Sequence, residues 1–199
     1  MELQDQAYRL VEQSGFPVIM GFEYYPVITL GKRAEATMEL QATPQALIDR
    51  GVELVETDRG GQATLHSPGQ LVIYPLVPVR QLKISVREFI QILENTTIHW
   101  LEKHKIFASR KEDAGVFTDK GKIAFIGIRV DRGITRHGIS INLFNDLLLF
   151  ENIRACGVQK RPLDSLNEHD VHLDLKEAFD EWTLFFTNEL LRVIPAPTV

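Results

Sequence analysis

The stretch Arg59-Gly-Gly-Gln-Ala-Thr-Leu-His-Ser-Pro-Gly-Gln70 narrows the folds open to this chain, because glycines, a proline, a cation, hydroxyls and an imidazole crowd into one connection. Strand-forming runs at 52–57 and 71–77 flank it, so it links strand to strand. Gly60, Gly61 and Gly69 let the backbone approach closely or take positive φ, and Pro68 stiffens the exit. Arg59, Thr64, His66 and Gln70 present polar groups at fixed intervals, as a loop that wraps a ligand would. An ordinary polar hairpin has a similar composition, and this segment alone does not separate the two.

The surrounding pattern supplies the frame. Residues 2–13 read as a short helix with Leu3, Ala7, Leu10 and Val11 on one side, stopped by Gly15. Extended chain through Tyr24, Val27 and Leu30 predicts a first strand pair. Thr43 before Pro44 is an N-cap and first-turn signal for a short helix ending at Gly51. Ser85-Val-Arg-Glu88 has capping-box spacing, and Val86, Phe89, Ile90, Leu93, Ile98 and Leu101 extend an amphipathic helix to about Lys103. Residues 116–118, 123–130 and 134–143, separated by the turns Asp119-Lys-Gly-Lys122 and Asp131-Arg-Gly133, form an antiparallel meander. A second long helix spans 173–194 and carries Ala178, Trp182, Phe185, Phe186, Leu190 and Val193. Hairpin-linked strands with helices at intervals give an α+β class: one domain over 1–199, with a mainly antiparallel sheet and flanking helices.

At 199 residues and 44% hydrophobic, the chain can bury a real core. Its net charge of −5 argues against general binding to nucleic acid or an anionic membrane surface. No apolar run approaches the roughly 18–20 residues of a membrane-spanning helix. The single cysteine excludes an intrachain disulfide, and the start Met1-Glu-Leu-Gln-Asp-Gln lacks the basic-then-apolar pattern of a signal peptide. A cytoplasmic location is therefore expected.

Cys156 is the only thiol, so covalent catalysis through sulfur would occur there or nowhere. A lone cysteine is most often a small buried hydrophobe, but Arg154, Lys160 and Arg161 are local cations that favour thiolate if they are near in space. Lys122 opens an apolar strand, a position commonly taken by a solvated gatekeeper. His137 and Asn142 permit a Cys-His-Asn arrangement with Cys156, although both lie on one strand and Lys122 would then have no role. His169 and His172 have metal-ligand spacing without a third ligand, which reads as a polar loop, and no metal is expected. Two basic groups, Arg80 with Lys83 and Arg87, and Lys32 with Arg33, are either solvated faces or patches for an acidic partner.

Four ordered motifs bring these pieces together. The loop from Arg59 is followed by Gly121-Lys-Ile-Ala-Phe-Ile-Gly-Ile-Arg129, then His137-Gly-Ile-Ser-Ile-Asn142, then Ala155-Cys-Gly157. Their order and spacing, over roughly Thr29 to Leu166, resemble the octanoyltransferases of lipoate biosynthesis, whose pattern is an RGGxxTxHxPGQ loop, a KIAxIG strand, an HGxxxN strand and a Cys-Gly pair. The resemblance implies the biotin/lipoyl protein ligase catalytic fold. It also implies a Cys156/Lys122 dyad that needs no cofactor, with Cys156 taking the acyl group and Lys122 as its partner. The implied substrate surface is Arg59, Gly60, Gly61, Gln62, Ala63, Thr64, Leu65 and His66, then Phe125, Ile126 and Gly127, then Gly138, Ile139 and Ser140.

By the same resemblance, the donor is octanoyl-acyl carrier protein. The acceptors are the lipoyl domains of 2-oxoacid dehydrogenases and the H protein of glycine cleavage, and the enzyme is a monomer. The chain departs from the pattern at Ala155, where the family usually has proline, at Asp164-Ser-Leu166 in place of Thr-Ser-Leu, and at Phe117 in place of a common tryptophan. Same-fold alternatives are an ATP-dependent lipoate or biotin ligase and a lipoyl amidotransferase. A catalytically idle module that binds carrier or lipoyl domains is the alternative from another class.

Overall fold

Alternating apolar residues and tight turns in the second half of the chain produce the sheet that organises the molecule. The computed structural model describes residues 2–153 and 162–194. The strands β1 (Val18–Phe22), β5 (Gln70–Leu76), β6 (Gly115–Phe117), β7 (Lys122–Asp131) and β8 (Ile134–Asn142) make a five-stranded sheet in the order β1-β5-β8-β7-β6, antiparallel throughout. The expected meander is present as β6, β7 and β8. A second sheet holds β2 (Val27–Leu30) between β3 (Glu53–Glu56) and β4 (Ala63–His66), parallel to the first and antiparallel to the second.

Pairing register sorts the large sheet into two faces. Leu71, Ile73, Ala124, Ile139 and Ile141 point into the main core, against α4 (Val86–Lys103) and α5 (Leu175–Val193). Both helices begin with a complete capping box, Ser85 with Glu88 and Asp174 with Glu177. Trp182 seats them together: its indole N–H donates to Thr97 Oγ1 at 3.0 Å, and its ring stacks on Phe186 at 5.2 Å. The alternate residues Val72, Tyr74, Phe125 and Ser140 face the other way, where the small sheet and α3 (Pro44–Asp49) enclose a second core around Ile28, Leu47, Leu65, Phe125 and Phe150. A very short helix, α2 (Ala36–Glu39), precedes α3.

Three expectations change. Residues 18–30 do not pair with each other: β1 joins the large sheet and β2 the small one, with the chain crossing between them at 23–26. The glycine-rich connection is a strand, β4, between two turns, because Ala63–His66 pairs with β2. Helix α1 (Glu2–Ser14) buries Gln4, Ala7, Tyr8 and Val11, and leaves Leu3 and Leu10 exposed. Tyr8 sets that rotation: its hydroxyl donates to the Asp131 carbonyl at 3.1 Å, and the Arg136 guanidinium lies 4.4 Å from its ring centre.

Candidate active site

The face of the large sheet that turns away from α4 and α5 forms the floor of a pocket, and the glycine-rich segment forms its wall. The pocket is open to solvent, and its interior and mouth together span about 650 Å³. Arg59, Gly61, Gln62, Ala63, Thr64 and His66 line it from the wall, Lys122, Phe125, Ile126 and Gly127 from β7, and Gly138, Ile139 and Ser140 from β8. Two of the expected surface residues stand behind the lining. Gly60 N–H donates to the Ile128 carbonyl at 3.0 Å, which ties the loop to β7, and Leu65 is fully buried in the small-sheet core. Thr29, Thr57, Val72, Tyr74 and Ala114 also line the pocket. Their neighbours in sequence read as ordinary strand or turn, so only the topology shows them.

Arg59 holds the wall in place. Its Nε and Nη2 donate to Thr29 Oγ1 at 3.1 and 2.8 Å, Nη2 also reaches the Thr29 carbonyl at 2.6 Å, and Nη1 reaches the Gly60 carbonyl at 3.2 Å. Gly61 and Gly69 take positive φ, as the loop's composition required. Glu39 reaches the same wall from α2, its carboxylate accepting from Ala63 N–H.

His66 belongs to a hydrogen-bonded series whose direction can be worked out. Asn142 Nδ2 donates to the Asp164 carbonyl at 2.9 Å, so Asn142 Oδ1 accepts from Gln70 Nε2 at 2.9 Å. That leaves Gln70 Oε1 to accept from His66 Nδ1 at 2.6 Å, and His66 Nε2 carries no proton. Burial pushes His66 down to about 4, with Arg59 and His137 adding to the effect against the Gln70 bond, so the ring is neutral at pH 7.

His137 is likewise lowered to about 4, by burial first and then by Arg59, Arg136 and Arg129. Its Nε2 donates to Asp58 Oδ1 at 2.6 Å, and Arg129 also pairs with that carboxylate. His137 is thus committed to Asp58 and Asn142 to Gln70 and Asp164, so the two do not form a Cys-His-Asn pair. His169 and His172 bond Asp164 and Asn167 respectively, and among the described residues no cluster of three or more His, Cys, Asp or Glu could hold a metal.

Lys122 is 1% exposed and lies at the pocket edge. Its Nζ donates to the Ala114 carbonyl at 2.9 Å and sits 5.1 Å from the ring centres of both Phe117 and Phe125, where π faces favour a cation. Its backbone pairs with 162–164: Lys122 N–H donates to the Pro162 carbonyl at 2.9 Å, and Asp164 N–H to the Lys122 carbonyl at 3.1 Å. Cys156 and its neighbours Arg154, Gly157, Lys160 and Arg161 lie outside the described residues. Lys32 and Arg33 are exposed beside the wall, where their backbone N–H groups donate to the Arg59 and Gly61 carbonyls at 3.0 and 3.1 Å. Arg80 of the other basic group packs against Gly133, in the turn between β7 and β8.

The lipoyl protein ligase A/B catalytic domain family matches residues 1–186. The chain belongs to that family. Within it, the octanoyltransferase of Alkaliphilus metalliredigens is 40% identical over 148 residues, covering 73% of this chain and 67% of that one. The octanoyltransferase of Dichelobacter nodosus is 35% identical over 168 residues, covering 83% and 80%. Other curated octanoyltransferases are spanned over only 56–60% of their length. A crystal structure of lipoate-protein ligase A bound with ATP superposes with a TM-score of 0.75 at 13% identity, covering 96% of this chain and 81% of that one. The α+β fold is therefore that of the lipoate ligases. No helix among the described residues is long and apolar enough to cross a membrane.

Proposed function

We propose that this member of the lipoyl protein ligase A/B family transfers an octanoyl group from the thioester of an acyl carrier protein to the lysine of a lipoyl domain, through an acyl-thioester on Cys156. The observation that carries the reading is Lys122: a lysine buried to 1% exposure at the edge of a mainly apolar pocket, paired along its backbone with the residues that follow the Cys156 segment. The curated octanoyltransferases among its relatives supply the reaction class.

In the first step the Cys156 thiolate attacks the donor carbonyl, the donor C–S bond breaks, and Lys122 protonates the departing thiolate. In the second, the acceptor lysine's amine attacks the acyl-cysteine, the C–N bond forms, the Cys156 thiolate leaves, and Lys122 receives the amine's proton. A thioester becomes an amide, which drives the sequence forward without a nucleotide. Backbone N–H groups around Cys156 and Gly157 would stabilise the oxyanion. The apolar pocket takes the acyl chain at about 0.8 kcal/mol per buried methylene, and the exposed Lys32 and Arg33 face the acidic carrier.

Intact-protein mass spectrometry after mixing with octanoyl-acyl carrier protein tests the reading. The wild type gains one octanoyl group that hydroxylamine removes, and Cys156→Ala gains none. Transfer to a lipoyl domain that proceeds in Cys156→Ala, only with ATP and free octanoate, would replace the reading with a ligase. Transfer only from an octanoylated lipoyl domain would replace it with an amidotransferase, and binding of either partner without transfer would leave a binding module.

A further inference from the structure

Glu94 is a buried carboxyl group that the mechanism does not use. Glu94 lies on the buried face of α4 at 5% exposure, within a helix whose other buried residues are mostly apolar or hydroxyl-bearing. Its Oε1 accepts from Gly115 N–H at 3.1 Å. On the other side of the same peptide group, the Ala114 carbonyl accepts from Lys122 Nζ at 2.9 Å. One peptide unit therefore carries a carboxyl group on its N–H end and the lysine on its C=O end. Hydrogen bonds in series polarise one another, so an acceptor on the N–H strengthens the carbonyl as an acceptor.

The backbone at this point is shaped for the contact. Gly115 has a φ of +136°, and a Cβ placed there would lie 2.4 Å from the Ala124 carbonyl oxygen and 2.6 Å from Lys122 Cε. Only glycine lets the peptide lie flat against the lysine while turning its N–H towards α4. The capping box at Ser85 and Glu88 fixes the start of α4, and Leu93 and Trp100 seat the helix in the main core, so the carboxyl group is held by a rigid element.

We propose that Glu94 is a positioning residue for Lys122, holding the ammonium at the pocket edge through the Ala114–Gly115 peptide and favouring its charged form. This rests on the reading of Lys122 as the proton carrier of acyl transfer, but the contact stands on its own geometry. Burial raises Glu94 above the usual carboxylate range, against the Gly115 N–H, Arg110 and Lys122, which all favour the ionised form. Arg110 and Lys122 are the cations that act on it. Lys111, 5.0 Å from the Phe117 ring centre, and Asp113 belong to the turn that leads into β6.

The test combines NMR with kinetics. Lysines labelled with 13C at Cε are titrated in the wild type and in Glu94→Gln, with the Lys122 signal identified by its loss in Lys122→Arg. Removing a neighbouring negative charge destabilises the ammonium, so Lys122 in Glu94→Gln titrates at a pH lower by about one. In steady-state transfer the same variant loses about tenfold in kcat with KM within twofold, and the alkaline limb of its pH profile moves to lower pH. Should Glu94→Gln fail to fold, the wild type suffices: the Gly115 amide proton and Lys122 Cε both report the ionisation of Glu94 at one shared midpoint. A Lys122 titration unchanged in Glu94→Gln, or a wild type in which neither nucleus senses that ionisation, overturns the proposal. The NMR readouts do not need turnover, so they stand even if Cys156→Ala keeps full transfer activity and the acyl-enzyme reading falls.

Discussion

His66 should make the fold acid-sensitive by an amount that can be worked out. Its pKa falls from 6.5 to about 4 in the folded protein, because burial removes the solvent a charged ring needs. Between those two values the unfolded chain binds the proton and the folded protein does not, so stability is complete above pH 6.5 and is lost as the pH falls towards 4. Linkage gives a loss of about 2 kcal/mol from this residue at pH 5, rising to about 3 kcal/mol near pH 4. Against a total of roughly 5–15 kcal/mol for a typical domain, that is a large share. The assay is urea denaturation of the wild type and His66→Gln at pH 7.5 and pH 5. Glutamine cannot titrate, so whatever it costs in lost contacts is nearly the same at both pH values and cancels in the double difference. The variant should lose about 2 kcal/mol less than the wild type between the two conditions. Equal losses would show that His66 takes its proton as readily in the folded protein as in the unfolded chain, and would refute the lowering of its pKa by burial.

Gly138→Ala places a methyl group 2.1 Å from the Ile73 carbonyl and 2.7 Å from Pro75 Cδ, where the β5–β8 pairing cannot open, and should cost about 3 kcal/mol or more in chemical denaturation. Ser85→Ala removes the acceptor for Glu88 N–H at the start of α4 and should cost about 1 kcal/mol, read as a lowered urea midpoint with an unchanged slope. Trp182→Ala opens a cavity between α4 and α5 and strands Thr97 Oγ1 without its donor, for a loss of about 3–5 kcal/mol in the same measurement.

Local signals in the chain were legible because they are short-range. The capping box at Ser85, the Thr43-Pro44 helix start and the turns of the β7–β8 meander depend on residues within four positions of each other, and each appears in the structure. The rotation of α1 was not legible. Leu3 and Leu10 match the helical period as well as Tyr8 does, and the choice is made by Asp131 and Arg136 more than 120 residues away. The separation of β1 from β2 into different sheets is equally non-local, since adjacent strands pair by default. Within the site, the motif residues were visible as motifs. Glu94 was not: a glutamate among Ile90, Leu93 and Ile98 reads as the solvated side of an amphipathic helix until the turn before β6 folds over it.

The two neutral histidines bear on which group serves the sulfur. An ordinary thiol has a pKa near 8.5, and an imidazole held at about 4 is a far weaker base. As they stand in this pocket, His66 and His137 are weak bases at neutral pH. An ammonium works in the opposite way: it stabilises the thiolate by its charge and returns a proton to the leaving sulfur. The pocket sets Lys122 against two π faces and a peptide carbonyl. Lys122, held by the Ala114 carbonyl and the faces of Phe117 and Phe125, is the group that the proposed mechanism uses in their place.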